Sequence, residues 1–251
     1  MRKHIFALGA CLWMLNVSVQ AQEVEEFAEI KKLVATVMPG READSIQPVA
    51  IEGLYEVVVG QDIFYVTKDA HYIIQGTLLD WKNQVDLTNE ARMAVREKMN
   101  PMRKAAIEAL DAKDMLIYAP EETKHTVTVF TDIDCGYCRK LHAEMDLYHE
   151  QGIAIQYLAY PRAGLNSPSY HKAVAAWCAK DPLTALTEAK RNPNQRFEKE
   201  IEDCKDPIAE QLQMAHSFGL SGTPTLVLED GRMIPGYVPA DRLLGIINSG
   251  R

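Results

Sequence analysis

Beyond its first two dozen residues the chain has no apolar run approaching the roughly 20 residues that a membrane-spanning helix needs. It has no excess of positive charge either: 27 Lys and Arg stand against 35 Asp and Glu, a formal net charge of −8. That balance keeps a protein soluble and argues against a nucleic-acid or anionic-membrane partner. There is no internal repeat and no low-complexity tract. The seven histidines show no ligand spacing, and His142, four positions after Cys138, reads as a packing or solvent residue. Cysteine is scarce, at five residues. A zinc site wants two short-spaced cysteine pairs, whereas Cys178 and Cys204 lie 26 positions apart. No metal and no cofactor is expected.

The beginning of the chain points to a compartment. Arg2, Lys3 and His4 make a positive start, Ile5 to Val17 is mainly apolar, and Ser18-Val19-Gln20-Ala21 offers a cleavage site after Ala21. This is the pattern of a secretory signal peptide over 1–21, too short and too early for a span. An uncleaved anchor is the weaker reading. A lipoprotein box at Leu8-Gly9-Ala10-Cys11 would leave too short an apolar core before it, so Cys11 belongs to the signal. Removing 1–21 takes away two cations and no acids, leaving 230 residues with 25 Lys and Arg against 35 Asp and Glu, a charge of −10. The expected location is the periplasm.

Four cysteines then remain, Cys135, Cys138, Cys178 and Cys204, and an even number in an exported protein reads as two disulfides. Three pairings are possible, and spacing favours Cys135 with Cys138 and Cys178 with Cys204.

Residues 22–86 begin with helical spacing at Phe27, Ile30, Leu33, Val34 and Val37, ended by Pro39-Gly40. Short β-rich runs follow at Gly53-Leu54 to Val59, Ile63 to Thr67 and Tyr72 to Leu79, with turns at Gly60-Gln61-Asp62 and Lys68-Asp69-Ala70. So small a core is marginal and its sheet edges are unpaired, which predicts an α+β dimerisation domain; a monomeric domain is the alternative. Residues 87–112 read as a helical linker in two pieces. Thr88 is a candidate N-cap, and Asn100-Pro101 restarts the helix with Asn as cap and Pro at its first position. Residues 113–251 alternate as an α/β domain. Strands are predicted over Met115 to Tyr118, Thr126 to Thr131 and Ile153 to Tyr160, and a hairpin over Pro224 to Pro235 around Glu229-Asp230-Gly231. Helices are predicted over Gly136 to His149, Ser167 to Arg191 with a break at Asp181-Pro182, Pro207 to Phe218 and Asp241 to Asn248.

The chemistry concentrates where the β-run Thr126 to Thr131 leads through Asp132-Ile133-Asp134 into Cys135-Gly136-Tyr137-Cys138 at a helix start. Backbone N–H groups and the positive end of a helix dipole stabilise an anion there, lowering the pKa of the first thiol. Cys135 is predicted to sit exposed at the helix tip, with Cys138 one turn inside on the same face. A purely structural disulfide is the weaker reading, since so short a loop is a poor staple. Far downstream, Thr223-Pro224 opens a β-run, an odd place for a residue that cannot donate to a sheet ladder.

Strand, Cys-X-X-Cys, helix and a late Thr-Pro together resemble the thioredoxin superfamily. More narrowly the chain resembles the periplasmic disulfide isomerases of the DsbC family. Phe130-Thr131-Asp132, Lys140-Leu141-His142, Tyr157 to Arg162, Trp177-Cys178-Ala179-Lys180, Ser221 to Pro224 and Pro235-Gly236-Tyr237 carry that likeness. Ser45-Ile46-Gln47-Pro48 and Ile73-Ile74-Gln75-Gly76 extend it to the N-terminal part. The resemblance implies a thioredoxin-like domain with a helical insertion and a V-shaped homodimer joined through the small domains. It implies a cis Thr223–Pro224 bond beside Cys135, a structural disulfide between Cys178 and Cys204, and a membrane thiol reductase of DsbD type as partner. Two departures stand out. The linker runs longer than the family's, and Val129 stands six residues before Cys135, where thioredoxins place a buried acid, so proton handling must differ. Asp132, Gly136, Tyr137 and Arg162 are candidates for tuning the site.

The expected activity is protein disulfide isomerisation and reduction. Cys135 thiolate attacks a non-native disulfide in a misfolded protein, and either a substrate thiol or Cys138 resolves the mixed disulfide. A thiol oxidase that donates its disulfide, and a dimeric chaperone acting as a holdase, are the alternatives.

Overall fold

The structure is a computed structural model that describes residues 27–194, 197–198 and 200–249. The expected signal peptide lies outside the described residues. The chain divides into two compact units, one ending at Val95 and the other starting at Arg96.

In the first unit, α1 (Ala28–Val37) packs on a sheet of β1 (Ser45–Pro48), β2 (Leu54–Val59), β3 (Asp62–Thr67) and β4 (Ile73–Ile74), antiparallel and in that order. Ile30 and Val34, one helical turn apart, meet Ile46, Tyr55, Val57, Val59, Phe64 and Val66 from alternate strand positions. Val59 opposite Asp62 leaves a two-residue hairpin, and Gly60 takes it at φ +62°, where a side chain would also run into Arg41. The run predicted as one strand over Tyr72 to Leu79 is broken. Only Ile73 and Ile74 join β3, while β5 (Leu79–Asp80) turns away to pair with β6 (Val85–Asp86) in a separate ribbon.

The predicted break in the helical linker is present, but its caps differ. It divides into α2 (Leu87–Lys98) and α3 (Asn100–Glu108). Thr88 caps nothing: its hydroxyl is buried, accepts from the Leu78 N–H at 2.8 Å and meets the Tyr65 hydroxyl. The Asp86 carboxylate receives the Asn89 N–H instead, at 2.8 Å. Asn100 lies inside α3, its side-chain oxygen taken by the wholly buried Arg103 at 3.0 Å. The C-terminal half of this stretch is no free spacer, because Ala106, Ile107 and Leu110 pack into a core of the second unit. Gly231, at φ +84°, lies where any Cβ would strike the Asn100 carbonyl, so the start of α3 rests against a turn of that unit.

The second unit carries a five-stranded sheet in the order β11-β10-β8-β9-β7. Its strands are β7 (Leu116–Tyr118), β8 (His125–Thr131), β9 (Ile153–Ala159), β10 (Thr225–Val227) and β11 (Met233–Pro235). β8 and β9 run parallel and the other pairs antiparallel. Both faces of the central strands are covered, as buried strands require. Val127, Val129, Ile155, Tyr157 and Leu226 enter one core, and Phe130, Leu158 and Val227 the other. The helix predicted over Gly136 to His149 is two, α4 (Gly136–Ala143) and α5 (Met145–Glu150), parted at Glu144, whose carboxylate takes the Tyr237 hydroxyl. The long helical stretch after Ser167 also splits, into α6 (Pro168–Trp177) capped by Ser167 and α7 (Pro182–Arg191) capped by Asp181, each with Pro in its first turn. α8 (Ile208–Ser217) and α9 (Ala240–Ser249) complete it.

Candidate active site

β8 ends at Thr131 and a tight turn aims the chain into α4. The Asp132 carbonyl accepts from the Cys135 N–H at 3.2 Å, and its carboxylate from the Asp134 N–H at 2.8 Å. Cys135 is the N-cap of α4, in extended conformation, and its sulfur accepts the Cys138 N–H at 3.4 Å. A cap position puts the sulfur against unpaired helix N–H groups, which favour an anion.

Across from the helix tip, 88 positions along the chain, the Thr223 carbonyl lies 3.2 Å from the Cys135 sulfur and accepts from its thiol. The Thr223–Pro224 bond is cis. The Thr223 hydroxyl is buried and has no hydrogen-bond partner among the described residues. The carbonyl can serve only the thiol, whereas the hydroxyl can donate to a thiolate. The predicted exposure of Cys135 is corrected here: the residue is 4% exposed, because the Thr223 segment covers the sulfur at the helix tip.

Cys135 and Cys138 are free thiols with opposite tendencies. Cys135 is held well below the ordinary thiol value, chiefly by hydrogen bonding from Cys138, with help from Thr223, the Cys138 backbone and the Arg162 charge, and against the effect of burial. Cys138 is pushed far up, first by burial and then by its bond to Cys135. One sulfur is thus prepared to attack while its neighbour keeps its proton.

The remaining candidates divide into structural and exposed groups. Asp132, buried, pairs with Arg162 through its Nε at 3.0 Å and its backbone N–H at 3.1 Å. Asp134 receives the Lys172 ammonium at 2.6 Å. Gly136 and Tyr137 face outward, and the Tyr137 ring, 65% exposed, stacks on Tyr237 at 6.3 Å, with the Lys140 ammonium 4.6 Å from the Tyr237 ring centre. In the helical insertion Cys178 and Cys204 form a disulfide with Cα atoms 5.7 Å apart, and Cys178 is fully buried. His142 is buried between Tyr157 and Thr187, and burial with the nearby Lys190 and Arg191 charges pushes it down to about 3. No group of three or more potential metal ligands occurs among the described residues.

Sequence reasoning missed Lys190. It is 2% exposed, donates to the Thr131 hydroxyl at 2.7 Å and lies 5.1 Å from the Tyr157 ring centre, in the interior where Val129 supplies no acid. A signal existed: Leu186, Ala189 and Lys190 fall at helical spacing on one buried face of α7, and a cation on such a face is uncommon.

Residues 18–89 match the disulfide bond isomerase protein N-terminal domain, and residues 112–251 a thioredoxin-like domain. The thiol:disulfide interchange protein DsbC of Escherichia coli K12 is 36% identical over 231 residues, covering 92% of this chain and 91% of the relative. Its namesake from Dickeya dadantii is 32% identical over 212 residues, covering 84% and 82%. That from Haemophilus influenzae is 34% identical over 194 residues, covering 77% and 79%. With a dithiol at a helix tip, a thioredoxin-like sheet and this likeness over nearly its whole length, the chain belongs to the DsbC family of disulfide isomerases.

Proposed function

We propose that Cys135 is the attacking thiol of a periplasmic protein disulfide isomerase and reductase, and Cys138 its resolving partner. The observation that carries this reading is the division of labour at one helix tip: a capped sulfur favoured as thiolate, and a second, one turn in, kept protonated. The thiolate attacks a disulfide of a misfolded protein. In isomerisation a substrate thiol then releases Cys135 unchanged; in reduction Cys138 does so, and the enzyme leaves oxidised. Thr223 serves the sulfur, Pro224 holds the segment, and the exposed Tyr137, stacked on the partly buried Tyr237, offers an apolar platform to unfolded chains.

The chain is read as three parts after its signal peptide: a dimerisation domain at 22–86, a linker at 87–112 and the catalytic domain at 113–251. Homodimer formation through the first of these is supported by its edge, where Tyr72, Ile73 and Ile74 are 61%, 39% and 48% exposed beside an unpaired side of β4. No helix among the described residues is long and apolar enough to cross a membrane. A membrane thiol reductase of DsbD type would return the pair to the dithiol.

The test is reactivation of scrambled ribonuclease without added oxidant. Wild type is expected to restore activity and Cys135→Ser to stay at background; an inactive wild type overturns the reading, and a variant as active as wild type leaves only a holdase. Stabilising the Cys135 thiolate also favours an oxidising disulfide, which suits a thiol oxidase. Trapping the redox state in cells separates the two, with a mostly reduced pair expected.

A further inference from the structure

We infer that Lys172 is a positioning residue for Cys135: its ammonium, carried in from the helical insertion, pairs with the Asp134 carboxylate and keeps that acid from opposing the attacking sulfur. This rests on the reading of Cys135 as the attacking thiol, and it assigns the site a group outside its own turn and helix.

The chain itself creates the difficulty. Asp134 stands immediately before Cys135, and Cys135 is the N-cap of α4. Consecutive Cα atoms lie about 3.8 Å apart, so whichever way its side chain turns, a charge on Asp134 stays within a screening length of roughly 10 Å from the sulfur. A free carboxylate there would act against a thiolate in two ways. Like charges repel, which pushes the thiol up. The tip of α4 also has few unpaired N–H groups, and a carboxylate is drawn to the same positive end as the sulfur. One of those groups, the Cys138 N–H, already serves the sulfur at 3.4 Å.

Lys172 removes the conflict. It lies on α6, and its Nζ donates to the Asp134 Oδ1 at 2.6 Å and to the carbonyl of Pro193, just beyond α7. The ammonium thus joins three segments: the insertion helix that carries it, the turn before Cys135 and the chain leaving α7. The Lys172 side chain is 19% exposed and that of Asp134 34%, so solvent screens this pair less than a fully exposed one. The Asp134 N–H is fixed as well, on the Asp132 carboxylate at 2.8 Å, and that carboxylate is held by Arg162. Each acid of the turn therefore has its own cation, brought from a different part of the fold.

The remaining charges around the sulfur come from every side. Cys138 lies on α4, Arg162 beyond β9 and Lys190 on α7, and each interacts with Cys135. The Thr223 segment brings a carbonyl and no charge. Asp132 is taken by Arg162, which leaves Asp134 as the acid whose neutralisation depends on Lys172.

Alkylation of the reduced protein by iodoacetamide across pH, with the Cys135 peptide followed by mass spectrometry, reads the effect. In wild type the rate should rise through a midpoint well below the ordinary thiol value. Lys172→Met leaves the carboxylate unopposed and is expected to move that midpoint up by at least about half a pH unit, slowing alkylation below it about threefold. Lys172→Arg keeps the charge and is expected to stay within about 0.2 units of wild type. Asp134→Asn leaves the lysine unopposed and is expected to move the midpoint down. With both Lys172→Met and Asp134→Asn neither charge remains, and the midpoint is expected to return to within about 0.2 units of wild type. A purely structural role for Lys172 would keep the shift in that double variant. A Lys172→Met midpoint equal to wild type, or a shift that Asp134→Asn does not cancel, overturns the inference. A wild-type midpoint at the ordinary thiol value would instead sink the proposed function. Should Lys172→Met fail to fold, Asp134→Asn decides: a lower midpoint supports the inference, and an unchanged or higher one overturns it.

Discussion

The two cysteine pairs of this protein are built for opposite ends. Cys178 and Cys204 sit in the helical insertion, one fully buried, and are joined across 26 positions. Cys135 and Cys138 are three positions apart at a helix tip, unjoined, with hydrogen bonds and burial driving their acidities apart. Closing a long loop removes conformational freedom from the unfolded chain, whereas closing a loop of two intervening residues removes little. The long pair is therefore suited to holding structure and the short pair to exchanging. The difference lies in loop length and in what surrounds each sulfur.

The largest test of that contrast is Cys135→Ser, expected to bring isomerisation of scrambled ribonuclease down to background. Next, Cys138→Ser should keep the first attack but accumulate mixed disulfides, visible by mass spectrometry, with net reduction of substrate falling at least about 100-fold once the intramolecular thiol is gone. Changing Cys178 and Cys204 together to Ser should do the reverse, costing about 3 kcal/mol in denaturant unfolding and leaving the rate of Cys135 alkylation nearly unaltered.

The pH dependence sharpens the comparison further. Cys135 has a lowered folded-state pKa, so its thiolate adds stability above the ordinary thiol value, and this is lost as pH falls through the folded value. In the reduced protein, stability relative to Cys135→Ala should therefore climb with pH between the lowered value and the ordinary thiol value. Cys138, raised, works against folding above that window. Ultraviolet thiolate absorbance should show one sulfur titrating early and the other only at high pH. The smallest effect is expected from Arg162→Gln. It removes the Nε bond to buried Asp132, costing about 1 kcal/mol in unfolding while the Arg162 backbone N–H still holds that carboxylate, and it nudges the Cys135 pKa upward.

Much of this was legible in the chain. The α7 start at Asp181-Pro182 and the α6 start at Ser167-Pro168 announce themselves, because a capping oxygen and a proline act on residues only a few positions away. The strand-to-helix setting of Cys135 is equally local. Thr88 and Asn100 look like caps by the same rule and are not, since one hydroxyl is drawn into the first unit's interior and one amide is claimed by Arg103. The strand expected through Tyr72 to Leu79 failed for a related reason: β propensity is a property of residues, while the partner strand is a property of the fold.

The sequence by itself determined the order of the two units, the dithiol at a strand–helix junction, the acidic balance and the family. The units and the junction follow from periodicity, capping and spacing, which act over a few residues, the balance from a count of charges, and the family from the likeness of its motifs. Only the tertiary structure decided that Cys135 lies buried beneath the Thr223 segment the family likeness had set beside it, and that Lys190 stands in the interior with its amine on the Thr131 hydroxyl. Acidity depends on burial and on charges a few ångströms away, and those distances are set by packing between segments far apart in the chain.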